Sequence, residues 1–226
     1  TRTTLGHPSH EYTHRGVGIW MNGGRVVSSV VSYNNGDGPG QDVSHHPKGG
    51  GGIWLNGGTV ENSLIIGNRI AGTGYQVGGG GVYLAAGPGR LLSSTICGNL
   101  AETNHPGGGV QAAGGIVQSC IIYTNWAIAS TNIGGAATYS CSPDLAVGAG
   151  NIQGDPRFRR DGTGYGLALV PGDCRLTDAS PCIGRGTNTY LSSMTDIAGN
   201  PRIVRGAIEM GAYEFMPAPV SLFIVY

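Results

Sequence analysis

Apolar residues along this chain come in short runs, and the runs recur. In "GGGIWLNGGTVENSLIIGN" (Gly50 to Asn68), Ile53, Trp54, Leu55, Val60, Leu64, Ile65 and Ile66 are set between glycines and asparagines. Matching phrases are "GVGIWMNGGRVVSSVVSYN" from Gly16, "GGGVYLAAGPGRLLSSTICGN" from Gly79 and "GGGVQAAGGIVQSCIIYTN" from Gly107. Each holds two runs rich in Ile and Val, broken by Gly and Asn, which predicts strand–turn–strand. No segment keeps a helical period, and glycine costs a helix about 1 kcal/mol per position relative to alanine. The spaced leucines of a leucine-rich repeat are absent, and a propeller blade needs a period of about 40–45 residues. The pattern predicts an all-β solenoid, a right-handed parallel β-helix, with coils about 4.8 Å apart.

The aligned columns then have physical roles. Ile19, Ile53, Val82 and Val110 form one, Val26, Val60, Leu91 and Val117 a second, Val31, Ile65, Ile96 and Ile122 a third. Strand side chains alternate faces, so each column stacks inside the coil and supplies the core that one coil cannot make alone. Gly18, Gly52, Gly81 and Gly109 mark places where φ is positive, or where a Cβ would meet the neighbouring coil. Asn34, Asn68, Asn99 and Asn125 predict a turn whose amides bond to those above and below.

Coils are expected over residues 1–158, with repeats starting near 16, 50, 79 and 107 and a degraded coil at 126–158. A C-terminal cap follows at 159–215 and an apolar tail at 216–226. The chain has 226 residues with 43 Gly and 12 Pro, a composition near that of low-complexity chains. Disorder would also require few β-branched residues and a high net charge; here the formal charge is zero and 39% of residues are hydrophobic. That neutrality argues against nucleic acid and anionic membrane surfaces as partners, since both need clustered Lys and Arg. No apolar run is long enough to span a bilayer. The start at Thr1, with no signal peptide, is expected of an excised or processed fragment with further coils upstream.

Loops of variable length between repeats collect on one edge of a solenoid, often the binding edge. His45, His46, Tyr75 and His105 fall there, as do Glu11, Asp37, Asp42 and Glu102. No spacing matches a zinc signature, so no metal or cofactor is expected, and "HP" at His7, His46 and His105 is also ordinary turn material. Trp20, Trp54 and Tyr83 share an outward column. Left exposed it is a sugar platform, and under a loop it is packing. These seven residues, Trp20, Trp54, Tyr83, His45, His46, His105 and Tyr75, are the candidate glycan contacts. The strands hold few charges (Arg25, Glu61 and Arg90) and no acid pairs on neighbouring coils. A glycosidase needs two carboxylates about 5–9.5 Å apart. The poverty of charge points away from an enzyme.

Beyond Asn125 four phrases carry a resemblance. They are Gly150 to Phe158 ("GNIQGDPRF"), Arg175 to Gly186 ("RLTDASPCIGRG"), Asp196 to Arg202 ("DIAGNPR") and Gly211 to Glu214 ("GAYE"). The chain resembles secreted bacterial right-handed β-helix proteins of the choice-of-anchor Q type, and its GGG-I repeats are similar to those of polymorphic outer-membrane proteins. The resemblance implies fold and secretion, hence an extracellular or bacterial cell-surface location, and no catalytic residue. The expected function is a non-catalytic structural or adhesive module, with a polysaccharide lyase or glycosidase on the same scaffold as the alternative. Asp196, Arg202 and Glu214 are expected as an ion-pair clasp.

A secreted chain keeps disulfides, and five cysteines leave one over. Spacing suggests Cys120–Cys141 between stacked coils and Cys174–Cys182 locally, with Cys97 free; five buried thiols is the other possibility. "PVSLFIVY" (Pro219 to Tyr226) is apolar and uncharged, which predicts a strand added to a sheet edge or the start of a further segment. If it couples molecules through an open coil end, deleting Val220 to Tyr226 lowers particle size in light scattering. An unchanged size rules the tail out as a coupler.

Overall fold

The computed structural model describes residues 18–37, 48–71, 76–204 and 206–217. Within them the chain is all-β, with one turn of 3-10 helix at Gly166–Ala168. The strands stack in parallel, each on its counterpart in the next repeat, as in a β-solenoid.

Each full coil has three faces. Ile19–Val27 and Ile53–Glu61 make the first face of two coils, and Val82–Leu84 with Arg90–Leu92, then Val110–Ala112 with Ile116–Gln118, continue it. The second face stacks Val30–Ser32, Leu64–Ile66, Thr95–Cys97 and Ile121–Tyr123. The third stacks Asn35–Asp37, Arg69–Ala71, Leu100–Pro106 and Trp126–Ala129. Left-handed residues turn the corners: Ser28, Asn62, Ser93 and Ser119 (φ 47, 53, 43 and 55°) after the first face, and Tyr33, Gly67, Gly98 and Thr124 after the second.

The apolar columns pair in the expected register. Val60 lies between Val26 and Leu91, with Val117 beyond; Ile65 and Ile96 join Val31 to Ile122; Ile53 and Val82 join Ile19 to Val110. All but the partly buried Ile19 and Val26 at the first coil are sealed from solvent. The column continues to Ile133, and a further one, Met21, Leu55 and Leu84, fills the same core.

One buried corner is polar. The Asn34 amide donates to Asn68 Oδ1 at 2.8 Å, Asn68 to Asn99 Oδ1 at 2.9 Å and Asn99 to Asn125 Oδ1 at 2.9 Å. Each accepting oxygen also takes the backbone N–H of the coil before it, at 2.9–3.1 Å. The amides of Asn68, Asn99 and Asn125 donate in addition to Val31 O, Ile65 O and Ile96 O. Every rung is buried and satisfied, so the column adds order without an orphaned polar group.

The glycine column follows from this ladder. A Cβ on Gly52 would meet Gly81 O at 2.7 Å and Asn68 Cγ at 3.0 Å; one on Gly81 would meet Gly109 O at 2.7 Å and Asn99 Nδ2 at 3.0 Å. Close approach, not positive φ, is what Gly18, Gly52, Gly81 and Gly109 provide; in the last three of these runs the glycine two positions earlier (Gly50, Gly79 and Gly107) is the left-handed one.

The ladder ends where the glycine column ends. Asn132 stands in the backbone place of the next glycine, its carbonyl accepting from Gly109 N and Val110 N. Its side-chain Oδ1 takes the place of the next rung, accepting from Asn125 N at 3.0 Å and Asn125 Nδ2 at 3.3 Å. Asp144 Oδ2 then accepts from Asn132 N at 2.5 Å and from Ile133 N. A second column runs beside the first corner. Ser63, Ser94 and Ser140 each donate to the carbonyl two residues back and accept an N–H from the coil before, and Cys120 occupies the rung between Ser94 and Ser140.

After the coils, Phe158–Arg160 pairs antiparallel with Asp173–Leu176, and the chain then runs without long strands to the end of the described residues. The apolar tail Pro219 to Tyr226 lies outside the described residues, as do the upstream segment 1–17 and the loop segments 38–47 and 72–75.

Truncating a middle rung tests the ladder. Asn99→Ala strands Asn68 N and leaves the Asn68 amide with Val31 O as its remaining acceptor, at about 1–3 kcal/mol for the orphaned N–H. Gly81→Ala pushes a methyl into the backbone of the next coil, at about 1–3 kcal/mol or more. Urea unfolding should show both losses, and the double variant should fall short of their sum because the two positions share a contact.

Candidate functional site: a cleft on the flank

The second face is apolar on both sides. Ile65, Ile96 and Ile122 point into the core, while Leu64, Ile66, Cys97, Ile121 and Tyr123 point outward. Those outward residues need a cover, and the segment 158–217 supplies it. Phe158, Leu176, Cys182 and Met210 pack with Ile121 and Cys141, and Leu169 packs with Ile66 and Cys97. Phe158 meets Tyr123 edge-on at 6.0 Å.

Polar contacts then fix the register of this segment on the stack. Gly166 N donates to Gly98 O, Gly211 N to Ser119 O, both at 2.8 Å, and Ala212 N to Thr95 Oγ1 at 3.0 Å. Asn62 Nδ2 donates to Thr195 O at 2.9 Å, and Tyr33 Oη to Leu169 O. Arg90 lies 4.6 Å above the Tyr190 ring. The segment expected as a cap is thus seated along the flank, touching the stack from Arg25 to Cys141.

Between this segment and the second face lies a cleft of about 500 Å³. Leu64, Ile66, Phe158 and Leu169 give it an apolar wall, and Arg160, Asp173, Arg175 and Tyr213 a polar one. Asp173 and Arg175 are joined bidentately, at 2.8 and 2.6 Å. That bond, with a backbone N–H from Arg175, holds the Asp173 carboxyl below its ordinary value despite burial. Asp161, between lining residues Arg160 and Gly162, is pushed the other way, first by burial and then by the charge of Asp155. Burial and the same two acids raise the Tyr123 hydroxyl.

Other buried charges serve the clasp. Glu61 accepts from Ser192 N at 2.9 Å, Ser193 N at 3.1 Å, Arg25 Nη2 at 2.8 Å and the Ser192 hydroxyl. Burial alone would raise this carboxyl; the bonds from Ser192, Ser193 and Arg25 outweigh it and hold the group below its ordinary value. Arg202 and Glu214 form a fully buried ion pair at 2.9 Å, and the guanidinium also donates to Gly211 O. Burial pulls Arg202 down to about 10, against the charges of Asp196, Glu209 and Glu61. Asp196 contributes differently: its carboxylate accepts from Ala198 N, Asn200 N and Glu214 N, so it shapes the "DIAGN" turn and seats the ion pair.

The cysteines are arranged otherwise than spacing suggested. All five are thiols. Cys141 pairs with Ile121, one residue off Cys120, and a one-residue offset in a strand sends the two side chains to opposite faces. Cys120 therefore lies in the core, its thiol pushed up to about 12 by burial. Cys141 faces outward, into the same buried apolar cluster as Cys182. Cys174 turns to Cys97, sulfur to sulfur at 3.3 Å, rather than to Cys182.

The aromatic column keeps its register, Trp20 on Trp54 on Tyr83, but it is no exposed strip. Trp54 and Tyr83 are buried with Ala85, their rings 4.4 Å apart and tilted by 41°, and only Trp20 is half-exposed. Gln111 and Gly134 continue the column and end its aromatic character. His45, His46 and Tyr75 lie outside the described residues; His105 falls in Leu100–Pro106, and its side chain is likewise outside them. Glu102, on the same edge, is held bidentately by Arg69 at 2.8 and 2.9 Å.

Sequence reading missed the cleft, though the signal was present. Consecutive apolar residues, as in "LII" and "IIY", mean a strand buried on both faces. No protein-family model, curated protein or solved structure matches this chain.

Two predictions follow from the clasp chemistry. A carboxyl whose folded value is depressed stabilises above its unfolded value and loses that contribution as pH falls through the folded one. The Glu61 clamp should therefore hold at neutral pH and release under acid. Glu61→Gln should flatten that dependence and speed chymotryptic cleavage at Tyr190 and Leu191 at pH 7. Glu214→Gln leaves the Arg202 charge buried without its partner and should cost about 3–5 kcal/mol in urea unfolding.

Proposed function

We propose that this chain is a non-catalytic extracellular module: a right-handed parallel β-helix of the choice-of-anchor Q type, with a structural or adhesive role on a bacterial surface. The observation that carries this reading is the use made of its acids. Glu61, Asp144, Asp196 and Glu214 hold the ladder end or the flank segment, and Glu102 and Asp173 are bound by Arg69 and Arg175. Carboxylates fixed in this way support a scaffold, whose coils present loops while the flank segment locks the stack. An extracellular glycan is the partner this reading favours, met by the loop edge and Trp20.

One observation favours a second reading, a lyase or glycosidase. Asp161, an exposed residue flanked by the cleft-lining Arg160 and Gly162, has its carboxyl raised by partial burial and then by the charge of Asp155, the direction an acid catalyst needs. One experiment separates the two. The protein is incubated with acidic and neutral polysaccharides while new reducing ends and unsaturated uronates are assayed, and binding is read in parallel on a glycan array. Retention without cleavage is expected. Turnover abolished by Asp161→Asn would replace the scaffold reading with the enzymatic one.

A further inference from the structure

We infer that the chain carries two disulfide sites, Cys97–Cys174 and Cys141–Cys182, each tying the coil stack to the flank segment, with Cys120 as the unpaired thiol. In each pair one cysteine belongs to a coil and the other to the segment laid over it. Cys97 lies in Thr95–Cys97 of the second face and Cys174 in Asp173–Leu176. Their sulfurs are 3.3 Å apart, so closing to the ~2.05 Å of an S–S bond takes about 1 Å of side-chain movement. Cys141 and Cys182 are fully buried in one apolar cluster with Ile121, Leu176 and Met210. There the nearness of Cys141, and then burial, raise the Cys182 thiol far above its ordinary value. Cys120 is excluded because it occupies a rung of the serine column, bonded to Gln118 O and facing the core.

The pairs differ in access. Cys174 is partly exposed in the wall of the cleft, whereas Cys97 is buried, and its thiol is raised by the bond to Cys174 and by burial. Reaction with oxidised glutathione therefore starts at Cys174. Its thiolate attacks the glutathione disulfide, releasing one glutathione thiolate and leaving a mixed disulfide. The Cys97 thiolate then attacks the Cys174 sulfur and releases the second glutathione. Two protons leave the protein, and the two electrons go to glutathione. Cys141 and Cys182 react by the same steps before the flank segment seals them. The first bridge spans 77 residues of chain, so it constrains the unfolded state strongly and fastens the segment whose other contacts are hydrogen bonds and apolar packing.

The full chain is reduced, unfolded and refolded in a buffer of oxidised and reduced glutathione, then digested without reduction. Chymotryptic cleavage at Leu100, Tyr123, Leu145 and Leu176 separates all five cysteines. Linked peptides joining Cys97 to Cys174 and Cys141 to Cys182 are expected, with titratable thiols in denaturant falling from five to one. The oxidised protein should melt roughly 5–15 °C above the reduced one. Cys120→Ser should leave the pattern intact, and Cys174→Ser should free Cys97 while keeping Cys141–Cys182. A Cys120–Cys141 or Cys174–Cys182 peptide, or five thiols surviving the oxidising refold, would overturn the assignment.

Discussion

A column of buried amides set flush against a column of glycines governs this structure. Asn68, Asn99 and Asn125 each satisfy the coil before them, and each fits only because the facing residue has no Cβ. The two columns impose one register on every coil. Most variation in length falls in the loops between coils; the third repeat also carries two extra residues within its first face, between Leu84 and Leu91. The ladder also ends as the constraint predicts. Asn132 takes a glycine's backbone place and, with its own amide oxygen, the next rung's place; Asp144 then closes the exposed N–H groups.

The flank segment is governed by a different balance. Apolar side chains contribute about 1.5–3 kcal/mol each on full burial, and Phe158, Leu169, Leu176 and Met210 all dock on the second face. The Asp173–Arg175 pair is solvent-exposed and lies within the segment, so it does not hold the segment in place. The buried Arg202–Glu214 pair and the Glu61 clamp act as locators: well bonded they add little net stability, but losing one partner is costly. Apolar burial thus holds the segment to the stack while polar groups decide where it sits. The cleft and both thiol pairs are consequences of that seating.

Much of the coil architecture was legible in the sequence, because repetition turns an alignment into a contact map. The three apolar columns, the four asparagines and the glycine column could be read from spacing alone. What failed to read failed for physical reasons. Asn132 lies only seven residues beyond Asn125, so it broke the period it completes. The "SC" at Ser119–Cys120 and again at Ser140–Cys141 looks like one repeated feature, yet the pairing register sets Cys141 opposite Ile121. Trp54 and Tyr83 were correctly placed on the outward side, but facing outward from a coil is not exposure to solvent. The seating of the flank segment joins residues more than a hundred positions apart, as between Asn62 and Thr195, and no local pattern encodes that.

Native-state hydrogen exchange by NMR tests the ladder as the spine of the fold most directly. The backbone N–H groups of Asn34, Asn68, Asn99 and Asn125, with the side-chain amides of Asn68 and Asn99, should be among the slowest to exchange. They should also lose protection together as denaturant is added. Exchange as fast as that of the exposed loop residues Ala146 and Val147, or protection lost separately rung by rung, would contradict the account.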